Sequence, residues 1–258
     1  MTINFEQETD GSAGFVDSNS SRKALVVDAD RGAYVDPAVF VRLEDHFLGD
    51  TLDGHFSGAS GSDAQALDPA VNAQVGGVVR LVSGDTVTAA ESVSSLTHGL
   101  NWQADKGGLR LKAAITPVSS VADAKYFVGF TDALATGTLE MPFSIATATV
   151  TSNATDAVGF VYDTAATTDE WALQGVADGT DTALLHSGVA PVADTEQTLE
   201  LFVNTAGGAD FYINGALVGS VGAAVTADVA LTPCIAVMTN TTASKTLDAD
   251  YILVDGQR

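Results

Sequence analysis

Apolar positions in this chain come in short runs, and many alternate strictly with polar ones. Leu109, Leu111, Ala113 and Ile115 alternate with Arg110 and Lys112, which predicts a strand with one buried and one solvated face. Pro117 is expected to close it. Thr198-Leu-Glu-Leu-Phe-Val203 alternates in the same way. Ala209-Asp-Phe-Tyr-Ile213 and Ala216-Leu-Val218 flank Asn214-Gly215, a pair that tolerates positive φ at both central positions and is the strongest short hairpin signal. Val75–Val82, Tyr126–Phe130, Val158–Tyr162, Trp171–Leu173, Thr182–Leu185, Ile235–Met238 and Asp250–Asp255 read as further strands, separated by turn residues such as Ser83-Gly84-Asp85 and Asp178-Gly179. A short helix is expected near Ser119–Ala124. Helical periodicity is otherwise almost missing. The pattern predicts an all-β fold, an antiparallel two-sheet β-sandwich or jelly roll, whose core includes Phe130, Phe160, Phe202 and Phe211.

The N-terminal stretch differs. Gly11-Ser-Ala-Gly14 and Asp17-Ser-Asn-Ser-Ser21 are linker chemistry around small apolar pieces, Ala24–Val27 and Ala38–Val41. Such a segment buries too little apolar surface to fold alone. The expected organisation is an extended N-terminal arm over 1–42, lying on a neighbour, and a sandwich domain over 43–258. Arg22, Lys23, Arg31 and Arg42, four of the 11 basic residues, fall in this arm and are the candidate contacts to a partner.

Composition narrows the function classes. Of the 258 residues, 46% are hydrophobic and 17% charged, which suits a folded domain rather than a disordered one. The net charge of -22 includes a stretch from Lys125 to Lys245 with no Lys or Arg between them. Such a surface repels phosphate backbones and anionic lipid, so neither nucleic acid nor membrane is an expected partner. The acidity reads first as surface solubility and secondly as a source of carboxylates for Ca²⁺ or Mg²⁺; no resident cofactor is expected, with Ca²⁺ left open. The lone Cys234 lies in an apolar stretch and is expected to be a small buried hydrophobe. Met1–Asp10 has neither a basic start nor an apolar run, so synthesis in the cytosol is expected.

The C-terminal half carries a resemblance. Leu199–Val203, Ala209-Asp-Phe-Tyr-Ile-Asn-Gly215, Leu231-Thr-Pro233 and Leu247-Asp-Ala-Asp-Tyr-Ile252 resemble concanavalin A-like (laminin-G-like) jelly-roll domains, as do Asp45–Asp50, Asn101-Trp102 and Gly129-Phe130 nearer the start. The layout over 43–258 is similar to structural proteins of tailed bacteriophages, including those that decorate the capsid. The resemblance implies a virion protein made in the host cytoplasm and placed on the capsid surface. Its implied partners are the major capsid protein and further copies of itself, a homotrimer being preferred. The alternative it implies is a carbohydrate-binding, lectin-like adhesion module of a phage fibre or cell-surface protein.

Catalytic patterns are weak. Glycoside hydrolysis needs two carboxylates at a fixed separation. The Glu-x-Asp-x-x-Glu strand of the glucanase branch has no counterpart in this sequence, and Asp169-Glu170 would point to opposite faces of a strand. His46, His55, His98 and His186 are scattered without metal-ligand spacing. No catalytic residue is expected. For the lectin-like alternative the candidate metal ligands are Asp178, Asp181, Asp248 and Asp250, and the candidate sugar platforms are Trp102 and Trp171. Turn chemistry for the acids and core packing for the tryptophans are the competing readings. The Asn153-Ala-Thr155 and Asn240-Thr-Thr242 sequons are read as chance.

Overall fold

The computed structural model describes residues 40–257 except 50, 53, 66, 68–76, 88–91 and 134–139, together with short strands in the first forty residues. The chain divides into two units, one of residues 1–41 with 257–258 and one of residues 42–256. The first unit holds β1 (Phe5–Gln7), β2 (Ala13–Val16) and β3 (Arg22–Ala24) as one antiparallel sheet, and β4 (Val26–Val27) paired with β5 (Tyr34–Val35).

The second unit is a two-sheet antiparallel sandwich, the fold class that the alternation predicts. Its first sheet runs β20 (Ala216–Val221), β19 (Ala209–Ile213), β18 (Gln197–Val203), β10 (Leu109–Val118), β22 (Thr246–Gln257) and β6 (Phe40–Asp45), with β8 (Val79–Val82) also on β22. The second runs β16 (Thr180–Asp181), β15 (Ala172–Ala177), β14 (Ala157–Asp163), β11 (Ala124–Thr131), β21 (Thr232–Thr239), β9 (Ser94–Thr97) and β7 (Ser57–Ser60), with β17 (Leu185–His186) also on β15. A separate hairpin pairs β12 (Phe143–Ala146) with β13 (Thr149–Ser152).

Between the sheets, Leu111, Ile115, Leu201 and Phe211 of the first meet Tyr126, Phe130, Phe160 and Ile235 of the second, all fully buried. Phe160 stands edge-on to Phe211 with ring centres 5.1 Å apart, tying the sheets together. Phe130, Phe160 and Phe211 are thus in the core as expected. Phe202 is not: the β18 alternation turns Leu199, Leu201 and Val203 inward, so Phe202 projects outward with Glu200.

Two local expectations also change. No helix forms over 119–124; Ser119 and Asp123 adopt positive φ in a tight link, and the Asp194 carboxylate accepts the Ser119 N–H. Pro117 does not end its strand, which continues to Val118. The Asn214-Gly215 hairpin forms as read, with φ of 51° and 79°. Along β22 the pairing with β10 slips between Ala114 and Ile115, which leaves Asp250 as the extra residue of a bulge.

Candidate functional site

Each sheet has an outer face, and the two differ in chemistry. Across the first, register places Asp255, Arg110, Phe202, Asp210 and Ser220 in one row, and Leu253, Lys112, Glu200, Tyr212 and Leu217 in the next. Arg110 donates to the Glu200 carboxylate at 2.7 Å and lies 3.8 Å from Asp255. Arg42 reaches the same Asp255 at 3.3 Å. The Arg110 guanidinium sits 5.3 Å from the centre of the Phe202 ring, and Phe202 meets Tyr212 edge-on at 5.6 Å. At the other side His46 contacts Glu44 at 3.1 Å and the Tyr251 ring at 4.8 Å. Burial pushes the Tyr251 hydroxyl up to about 12, with Glu44 adding to it. Leu217, at the free end of the second row, is 57% exposed. This face combines aromatic and aliphatic surface with charges that satisfy one another.

The outer face of the second sheet is apolar or small. One row holds Gln174, Gly159, Gly129, Cys234, Thr97 and Ser57; the next holds Ala172, Val161, Phe127, Ala236, Ser95 and Ala59. Met141, Phe143 and Ile145 pack onto it from the β12–β13 hairpin, with the Phe143 ring 6.0 Å from that of Phe127. A buried carboxylate fastens this cover. Asp163 accepts the Ile145 N–H at 2.9 Å through Oδ2, and through Oδ1 the Ala165 N–H at 2.9 Å and the Asn240 amide at 2.8 Å. Lys125 lies 3.2 Å from Oδ2. Cys234 is buried on this face as expected, and burial pushes its thiol up to about 12.

The residues singled out in the sequence are placed as follows. Arg31 lies outside the described residues, as do the side chains of Arg22 and Lys23, while Arg42 is engaged with Asp255. Trp171 is fully buried, and its indole N–H donates to Gln197 at 2.9 Å. Trp102 is nearly buried and donates to His98 Nδ1 at 3.4 Å. Neither presents a ring to solvent as a sugar platform would. Asp248 is held by Arg80 through two contacts of 2.6 Å. Asp178, with φ of 49°, and Gly179 turn the β15–β16 hairpin, so their role is turn chemistry. Among the described residues no three His, Cys, Asp or Glu side chains converge as metal ligands would. Sequence reasoning did not single out the aromatic–charged row or the Lys125, Asp163 and Asn240 cluster.

No protein-family model matches the chain, and no curated protein matches its sequence. Solved structures do match. The carbohydrate recognition domain of Emp47p superposes with a TM-score of 0.55 at 11% identity, over 85% of this chain and 98% of that one. A Bacillus licheniformis β-glucanase does so with 0.53 at 11%, over 83% and 97%. A protein of unknown function from Shewanella oneidensis MR-1 gives 0.54 at 14%, over 85% and 87%. At such identities the likeness is one of fold, and the fold is the concanavalin-like jelly-roll β-sandwich.

Proposed function

We propose that this chain is a non-enzymatic structural protein that works by binding, and that it sits on the outside of a tailed-phage head against the major capsid protein. The observation that carries the binding reading is the outer face of the first sheet. Phe202, Tyr212 and Leu217 provide apolar contact area there, beside ion pairs that already satisfy one another. Aromatic anchors beside a satisfied polar rim suit a protein interface. Hydrolysis would need two carboxylates facing a substrate. On this face Glu200 and Asp255 both engage Arg110 instead, which favours binding. The phage setting rests on the resemblance of the sequence over 43–258. The N-terminal unit, with Arg22, Lys23 and Arg31, supplies basic groups for an acidic neighbour. A homotrimer would fit the three-fold positions of an icosahedral shell.

The test is mass spectrometry with sedimentation on purified particles. A copy number comparable to the shell subunit supports the reading, and absence from particles overturns it. A second reading, carbohydrate binding, draws on one observation: Tyr212 and Phe202 offer ring surface on an open sheet of a fold that a carbohydrate recognition domain also uses. A glycan array with and without chelator tests it, and binding retained after removal of residues 1–40 favours it over attachment to a shell.

A further inference from the structure

Lys125 is the one Lys or Arg on the described strands of the second sheet, and it meets two groups of complementary chemistry. Its cross-strand partner on β14 is Asp163, whose side chain is 1% exposed; that of Lys125 is 13% exposed. The Lys125 Nζ lies 3.2 Å from Asp163 Oδ2 and donates to Ser144 Oγ at 3.2 Å. The other carboxylate oxygen, Oδ1, accepts the Asn240 Nδ2–H at 2.8 Å, and Thr164 Oγ1 accepts from the same nitrogen at 3.0 Å. On the far side of β11, Lys125 pairs with Met238, and Asn240 follows two residues later. Diagonal neighbours across antiparallel strands are about 7–8 Å apart, within reach of a long side chain. The Asn240 backbone is fixed by its N–H bond to Asp123 O at 2.7 Å. A primary amine and a carboxamide are thus held against the two oxygens of one buried carboxylate.

We propose that Lys125 and Asn240 join in an intramolecular isopeptide bond, with Asp163 moving the protons. The Lys125 ammonium passes a proton to Asp163 within the ion pair, and the neutral amine attacks Cγ of Asn240. A C–N bond forms between Nζ and Cγ, and the bond from Cγ to Nδ2 breaks. Asp163 returns its proton to the departing nitrogen, which leaves as ammonia and takes up the second proton lost from Nζ. The products are a secondary amide and one ammonium ion, and no oxidant or other reactant is consumed. The amide would tie β11 to the segment that follows β21, beside the point where Asp163 fastens the β12–β13 hairpin.

The experiment is mass spectrometry of the full-length folded protein after incubation at neutral pH. The intact mass is expected about 17 Da below the sequence value, after allowing for removal of Met1. A denatured digest with trypsin and a Glu-specific protease should contain a branched peptide joining residues 113–140 to 201–245, with no cleavage after Lys125. Lys125→Arg and Asn240→Ala should each restore the full mass. Asp163→Asn should do so as well, but that variant also loosens the hairpin, so the wild-type peptide map decides if it does not fold. Full mass with ordinary cleavage after Lys125 in the folded wild type would overturn the proposal. So would conversion of Asn240 to aspartate without a branched peptide.

Discussion

Gly129 and Gly159 face each other across β11 and β14, and together they set how closely these two strands and the Phe127 ring can pack. A Cβ on Gly129 would stand 2.2 Å from Val158 O, 2.5 Å from the Gly159 Cα and 3.0 Å from the Phe127 ring. The two closest obstacles are backbone atoms of a paired strand, so the clash is relieved only if the ladder itself shifts. Overpacking a tight interior typically costs about 1–3 kcal/mol, and an obstacle of backbone puts Gly129→Ala at about 3 kcal/mol or above. For a domain of this size that lowers Tm by about 6–12 °C. Gly179→Ala is the control. Gly179 has φ of 70° but nothing lies within 4 Å of the added methyl, so its cost is the left-handed strain alone, about 1 kcal/mol. Urea unfolding followed by tryptophan fluorescence reads both, since Trp102 and Trp171 are buried. Equal losses in the two variants, at equal m, would refute the close-packing account of the second sheet's outer face.

Three further outcomes follow from the same geometry. Asp248→Ala strips Arg80 of a bidentate partner that is 7% exposed, and should cost about 2–3 kcal/mol in urea unfolding; combining Asp248→Leu with Arg80→Met should recover most of it. Cys234, its thiol pushed up to about 12, should not react with a disulfide reagent at pH 8 in the folded protein but should titrate as one thiol in guanidinium; rapid native labelling would contradict its burial. Burial holds His98 below the ordinary imidazole value of 6.5, and its Nδ1 accepts the Trp102 N–H. As pH falls the unfolded chain therefore protonates first, so stability should decline from about 6.5 downward until the folded imidazole titrates, and stay level above. His98→Gln should flatten that step in Tm against pH, and an unchanged step would place its origin elsewhere.

The strands legible in the sequence are those with strong alternation or dense apolar content, such as β10, β11, β18 and the β19–β20 hairpin. Ser94-Ser-Leu-Thr97 and Ser57-Gly-Ala-Ser60 are not legible, because hydroxyl and small side chains carry almost no hydrophobic signal, although β9 is wholly buried. The β12–β13 hairpin escapes for another reason. It belongs to neither sheet, so no period in its neighbours implies it, and its apolar side chains cover a sheet face instead of lining the gap between sheets. Phe202 is expected in the core only when its aromatic side chain is weighed above its parity in an otherwise regular strand. The cluster around Asp163 joins residues 77 apart in sequence, and no local spacing signals such a meeting. The one trace in the sequence is the position of Lys125, the last cation before a long acidic stretch.

β22 lies between β10 and β6 in the first sheet, and β21 between β11 and β9 in the second. Both interior strands are therefore drawn from 232–257, translated after every other strand of the two sheets. During synthesis β10 and β11 each wait with one long edge open while a hundred or more residues emerge after them, so neither sheet can close piecemeal from its N-terminal side. Such a nascent chain holds apolar strand edges available to its neighbours on the polysome, which makes the interval before β22 arrives the time of greatest aggregation risk. Slowing translation within 132–231 should then lower the soluble yield, whereas the same pause placed before β10 should leave it unchanged.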